Sequence, residues 1–484
     1  MANYNSTHTG QQIDDAVSNV ATYLKVDTTT YPPSSTNLLT TEDKVEAMIS
    51  SSSINVENGA NGGIQSKTFT YTDSEGVEHT DTGGSATGKF AVALGGSTTA
   101  SAAFSYAEGA GTRALGSNSH SEGSSTLSSN NSSHAEGMGT TASALAAHAE
   151  GMGTTAAGTA THAEGSGTTA NSTSSLYPNG AHAEGFQTTA INASHAEGYQ
   201  TYASATGPYG AHAEGQSTRA EGGASHVEGY QTYANAQAAH AEGLGLGSTG
   251  TITVKNQTYN TGARAQAAHA EGYQTGALGI SSHSEGHNTV ASGDPGSHSE
   301  GQETRALGTA SHAEGYNTTT TAGYSHAEGQ NTTASAWTAH AEGLNTTASG
   351  SNSHAEGSGT TASAAAAHAE GSSTTASGLY SHAEGENTTA NTKDLHVFGK
   401  YNILDSGSTQ SLGTYVEIVG NGTAANSRSN ARTLDWSGNE RLAGGITLGA
   451  STANEVSLTA TELKAIKDFV STYTQYDGSY TINS

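Results

Sequence analysis

The chain has 484 residues, of which 63 are glycine, only 33% are hydrophobic and none is cysteine; its formal net charge is −27. That balance excludes a disulfide framework, and with 16 Lys and Arg against 43 Asp and Glu it excludes a basic nucleic-acid surface. No apolar run is long enough for a membrane helix, and the first residues carry no apolar signal-peptide core. A chain this poor in apolar residues reads as disordered unless a repeat orders it.

Residues 1–55 read as a helical attachment module. Ile13, Val17, Val20 and Leu24 fall at helical spacing, with Asp14 and Asp15 near the start, where the helix dipole favours anions. Pro32-Pro33 breaks the chain, and residues 41–49 read as a second short helix. Residues 56–87 form a connector. From Lys67 to His79 the chain alternates and turns at Ser74-Glu75-Gly76, which predicts a β-hairpin.

Residues 88–399 are a repeat. Its unit is written at Ser353-His354-Ala355-Glu356-Gly357, followed by Thr360-Thr361-Ala362-Ser363. Nineteen of the 22 histidines share this register, and most steps between them are 14 residues. The three longest steps read as insertions: 20 residues from His162 to His182, 17 from His195 to His212 and 29 from His240 to His269. Such a unit is too short for a helix pair and has no apolar heptad. It splits into two short alternating runs, each ended by a turn. Alternation places Ala355 and Ser353 on one face and His354 with Glu356 on the other; Thr360 and Ala362 share a face in the second run. The small residues then meet across a thin interior. The prediction is an all-β solenoid with 14-residue turns and two strands per turn. Counting from Val92 to His396 gives 21 strands, a shaft about 100 Å long at about 4.8 Å per turn.

The edges of the repeat carry a resemblance. Phe90-Ala91-Val92-Ala93-Leu94-Gly95 is similar to the strand of YadA-like heads of trimeric autotransporter adhesins, and Val92, Tyr106 and His120 follow at 14-residue steps. Leu395-His396-Val397-Phe398-Gly399 regains an aromatic at the other end. The resemblance covers roughly residues 88–400. It implies a left-handed parallel β-roll in a homotrimeric fibre, with the His/Glu face turned to the threefold axis. The membrane-barrel anchor of autotransporters is not recognisable at the C-terminus. Residues 9–20, together with 397–439, resemble instead tail fibres of phages and prophages of Gram-positive bacteria. That implies a virion protein, extracellular when it functions, bound to the phage baseplate or tail through its N-terminus, with no membrane insertion and no nucleic-acid partner.

The repeated His-x-Glu is the main candidate site. Its trimer-axis pairs are His120 with Glu122, His134 with Glu136, His148 with Glu150, and His162 with Glu164. They resume as His312 with Glu314, His326 with Glu328, His340 with Glu342, His354 with Glu356, His368 with Glu370, and His382 with Glu384. A buried carboxylate is costly unless paired. A ladder of intersubunit His–Glu hydrogen bonds would supply the pairing and fix the register of three chains. No cofactor is expected; a metal or anion on the axis is the sharper alternative, because imidazoles converging on an axis suit a transition ion. Catalysis wants one cleft with perturbed groups, whereas eighteen equivalent His-x-Glu pairs read as building material.

Insertions interrupt the lattice, and loops on rigid repeats carry function. Tyr177 lies in the first and Tyr209 in the second. The third, residues 245–261, alternates, turns at Lys255-Asn256-Gln257 and carries Tyr259; it predicts a projecting hairpin. Tyr202, Arg219 and Tyr233 replace the outward Thr on successive turns and predict a stacked column. These six residues are the candidates for contact with a host cell-surface polysaccharide.

Residues 400–450 leave the repeat and read as a C-terminal β cap. In 451–484, Leu458, Leu463, Ile466 and Phe469 give a short amphipathic helix behind a capping box at Thr459 and Glu462, followed by a polar tail. The expected function is a structural, non-enzymatic trimeric tail fibre and receptor-binding adhesin. The alternative is a tailspike-like fibre with polysaccharide depolymerase activity or a self-cleaving C-terminal chaperone.

Overall fold

A computed structural model of the chain describes residues 56–72, 78–173, 180–205, 209–444, 446–448, 456–458 and 460–473. All of these except Val56 and Glu57 belong to one compact unit, Asn58–Ser484. The expected N-terminal helices and Tyr177 lie outside the described residues.

The fold is nearly all β: about 22 turns of a parallel β-solenoid. Each turn contributes a strand to each of two parallel ladders. One ladder carries the His-x-Glu strands, in which His340 pairs with His354 and His354 with His368. The other carries the short Thr-Ala strands, from Ser85–Ala86 to Thr389–Ala390. The insertions do not disturb the register: His162 pairs His182, His195 pairs His212, and His240 pairs His269. The first ladder begins earlier than the repeat itself, since Ile64 pairs Val92.

Small side chains make this possible. Ala355, Ala362, Ala367 and Ala369 are fully or almost fully buried, as is Thr360, and the same positions are buried turn after turn. Alanine removes little apolar area, so no single turn is stable alone; each is held by hydrogen bonds to its neighbours. Typical ladder bonds run from His354 N to Ala367 O and from Thr361 N to Thr374 O, both 2.9 Å.

Two constraints shape each turn. The glycine after Glu has a positive φ, +103° at Gly357, and a Cβ there would stand 2.2 Å from the carbonyl oxygen of Gly371. Only glycine lets successive turns approach so closely. The corners are different. Many left-handed residues there are not glycine: Asn345, Asn352, Ala366 and Tyr380 all have φ between 52° and 57°. Their N–H groups donate to the preceding turn, as Ala366 N does to Ser351 O at 2.8 Å. The stack therefore offsets the roughly 1–2 kcal/mol that a left-handed non-glycine residue costs.

Phe69–Thr72 and Glu78–Asp81 form the expected antiparallel hairpin. The third insertion also forms one, Thr251–Val254 with Gln257–Asn260. It does not project as expected. Ile252 and Val254 are buried in a cluster with Val290, with Leu278 and Leu307 packed against it. Lys255 Nζ donates to Thr319 Oγ1 at 2.6 Å, and the Arg305 guanidinium donates to Gln257 and to Tyr259. Alternating apolar residues require a surface, and the outer wall of the roll, with Val290 and Leu278, provides it.

Beyond the repeat, Tyr415–Asn421 joins His396–Lys400 in parallel, and Asn430–Asp435 and Glu440–Leu442 add antiparallel strands. Ile446–Leu448 pairs with Val456–Leu458, and a helix spans Ala460–Tyr473.

Candidate functional site: a column of stacked histidines and carboxylates

Strand register brings every in-register histidine into one file. From His120 to His396, eighteen consecutive ring pairs stack with centroids 4.5–4.9 Å apart and planes within 12°. The spacing follows from the rise between hydrogen-bonded strands, which fixes the ring separation before any ring–ring attraction acts. Tyr106 starts the file, its ring 4.8 Å from His120.

The glutamates form a parallel file beside it. His Nε2 lies 3.3–3.9 Å from Glu carboxylate oxygens, mostly in the same strand: 3.5 Å from His340 to Glu342 and 3.7 Å from His354 to Glu356. His134 approaches Glu122 and Glu136 together, at 3.4 and 3.6 Å. Pairing of His with Glu is thus already present within one chain. Those separations exceed hydrogen-bond length. All nineteen Nε2 atoms are enclosed yet lack a hydrogen-bond partner, while the histidine side chains of these pairs remain 32–39% exposed.

Electrostatics follow from that half-buried setting. Burial, then neighbouring imidazoles, lowers the pKa of His148, His195, His312, His340 and His382. Burial, then hydrogen bonding with Glu164 and Glu136, pushes Glu150 up to about 7. Glu122 is raised by burial and by sharing with Glu136. Glu136, between two raised neighbours, is lowered: burial opposes this, but hydrogen bonds from Glu122 and Glu150 prevail. The alternating shifts at Glu122, Glu136 and Glu150 follow from protons held between neighbouring carboxyls.

The polysaccharide candidates fare unevenly. Tyr202, Arg219 and Tyr233 do stack in adjacent turns, with the Arg219 guanidinium 4.2 Å from the Tyr202 ring centre. They are largely used up by one another. Arg219 Nε donates to Glu221 at 2.8 Å, Tyr233 Oη donates to the same carboxylate at 2.6 Å, and Tyr233 is only 7% exposed. Tyr259 is tied down in the docked hairpin, and Tyr209 is 59% exposed.

A second column escaped sequence reasoning. The residue directly after Glu-Gly is exposed on most turns, and strand pairing sets Met138, Met152, Phe186, Tyr199, Tyr230, Leu244, Tyr273, Tyr316 and Leu344 in one file, 37–53% exposed. Phe186 and Tyr199 stack at 5.1 Å, and beside them Gln200 donates to Gln187 at 2.8 Å. The signal was a fixed position after Gly that is often large, as at Met138, Phe186 and Tyr199, while the rest of the unit is small.

A cleft of about 640 Å³ lies under the C-terminal strands and is lined in part by Asp405. That carboxylate accepts from the backbone of Ser406, Thr414 and Tyr415, so it fastens a loop and does not point at a ligand. Comparison with protein-family models and with curated proteins finds no match.

Proposed function

We propose that this chain is a structural, non-enzymatic fibre protein that works as a homotrimer. One observation carries the reading: the His/Glu column runs from His120 to His396, its side chains about one-third exposed and no histidine Nε2 hydrogen-bonded. A face that repeats at every turn is best covered by something with the same rise. A second and third copy of the chain meet that requirement, with the columns around a common axis in a left-handed roll.

The particular protein we propose is a phage tail fibre and receptor-binding adhesin. Its N-terminal module holds the baseplate or tail, and its C-terminal strands close the roll as a cap. The exposed aromatic file with flanking amides supports contact with a host cell-surface polysaccharide, since rings stack on sugar faces and amides bind hydroxyls. The reading as a depolymerase has less support, because it wants two carboxyls across an open groove and the repeat's acids stand in one file.

Sedimentation of the full chain tests the assembly: the expected mass is three times 48.5 kDa. A monomer at micromolar concentration would remove the basis of the fibre reading. Pull-down with purified host cell walls tests the receptor role, with Tyr199→Ala and Tyr230→Ala expected to weaken binding.

A further inference from the structure

We infer that the His/Glu column is a metal ladder, in which consecutive turns of one chain offer His–Glu–His ligand sets to a divalent transition ion such as Zn²⁺ or Ni²⁺. Among the described residues seventeen groups of three or more potential ligands have their ligand atoms within 4.8 Å of one another, His–Glu–His sets such as His120–Glu122–His134 and His134–Glu136–His148 among them.

The distances favour an ion over direct hydrogen bonds. Nε2 and carboxylate oxygen stand 3.3–3.9 Å apart, beyond the usual range of about 2.7–3.2 Å for N–H···O. Two ligands on one tetrahedral ion, with bonds of about 2.0–2.2 Å, stand about 3.3–3.6 Å apart; the His–Glu pairs already meet that spacing, whereas the two histidines of a set, with rings stacked 4.5–4.9 Å apart, must rotate toward the ion. His283 reaches carboxylates of two turns, Glu271 and Glu285, so one ion could join adjacent strands.

The ligand chemistry names the ion class. Imidazole with carboxylate suits Zn²⁺, Ni²⁺ or Cu²⁺, whereas Ca²⁺ and Mg²⁺ want mostly oxygen. Charge points the same way. Among the described residues no Lys or Arg is ion-paired with a glutamate of this file, so its carboxylates lack a fixed counter-charge. Neighbouring sets share a histidine, as the sets on Glu122 and Glu136 share His134. Saturation is therefore expected near half as many ions as sets. Because all ligands come from one chain, the inference does not rest on the trimer.

The test uses the full-length protein, stripped with EDTA, dialysed against ZnCl₂ and assayed by elemental mass spectrometry. Several zinc ions per chain are expected, undiminished by equimolar Mg²⁺. Replacing His340, His354 and His368 together by Gln is expected to remove about two of them. One ion or none in the wild type, or an unchanged count in a folded variant, overturns the inference. Should the variant fail to fold, X-ray absorption of the zinc-loaded wild type decides: imidazole nitrogen in the ion's shell is expected, and an all-oxygen shell overturns it. Sedimentation of the same samples separates the two ideas, since a zinc-loaded monomer keeps the ladder and removes the trimer.

Discussion

The two faces of one strand obey different rules. In His354-Ala355-Glu356 the inward Ala355 is fully buried and complete within its own chain. The outward His354 and Glu356 remain about one-third exposed, with Nε2 lacking a hydrogen-bond partner. The strand itself does not require that polarity. Val92 and Leu94 occupy the same two positions in the same ladder, paired in register with Tyr106 and Glu108. The inward file thus specifies the roll, whereas the outward file answers to whatever the roll meets.

The largest effect should come from a change that breaks both files at once. Gly357→Ala would set a Cβ 2.2 Å from Gly371 O at a φ of +103°. A loss of about 3–5 kcal/mol is expected, read from urea denaturation followed by circular dichroism. Gly153→Ala is the control: its φ is +65°, but nothing lies within 4 Å of the added carbon. It should cost only about 1 kcal/mol. Equal losses would show that backbone conformation, not the close approach of turns, is what glycine supplies.

Next comes the inward file alone. Ala355→Leu overfills an interior lined by Ala362 and Ala369, and about 1–3 kcal/mol should be lost. Valine is already accommodated at this register, as Val227 and Val397, so Ala355→Val should cost less. If leucine costs nothing, the interior is looser than the buried alanines imply.

This contrast also explains what could be read from the sequence. A repeat must superimpose on itself, so the alternation of Ala355 and Thr360 against His354 and Glu356 betrayed both the solenoid and its two faces. The hairpin at 251–260 was legible as a hairpin, since its alternation sits in ten consecutive residues. Its docking was not, because the receiving residues Val290 and Arg305 lie tens of residues away. The corners were hidden for another reason: residues such as Tyr380 and Ala366 have no preference for positive φ, and only the stack imposes it. The exposed file through Tyr199 and Tyr230 was overlooked because the variable position after glycine looks like noise until strands are laid side by side.

The outward file alone should respond to pH. In metal-free protein, His148 has a lowered pKa, through burial and neighbouring imidazoles. The unfolded chain then binds the proton first, so stability falls as pH drops through about 6.5. Glu150, raised to about 7, acts oppositely: the folded chain keeps a proton the unfolded one has lost, and that stability disappears as pH rises from about 4.5 to 7. Glu150→Gln removes only the second effect. Relative to wild type the variant should gain about 1 kcal/mol at pH 8 compared with pH 4, after discounting for solvent screening. An identical difference at both pH values would mean that Glu150 is not held protonated.

The smallest effect tests how complete the inward file is. Thr360 Oγ1 is buried without a hydrogen-bond partner, and so are the equivalent hydroxyls of Thr346 and Thr374. Where the repeat writes Ser for Ala between His and Glu, the hydroxyls find each other: Ser121 with Thr126 at 2.7 Å, Ser284 with Thr289 at 2.8 Å and Ser299 with Thr304 at 2.7 Å. Ala355→Ser should reproduce that bond to Thr360. A serine hydroxyl in an alanine interior ordinarily costs about 1–3 kcal/mol, but a new hydrogen bond returns about as much. The expected change is therefore within about 0.5 kcal/mol, in contrast to the leucine variant at the same site. With Thr360→Val already in place the same serine should become clearly destabilising, because its partner is gone; additivity of the two changes would show that the buried threonine hydroxyls are not what makes serine acceptable.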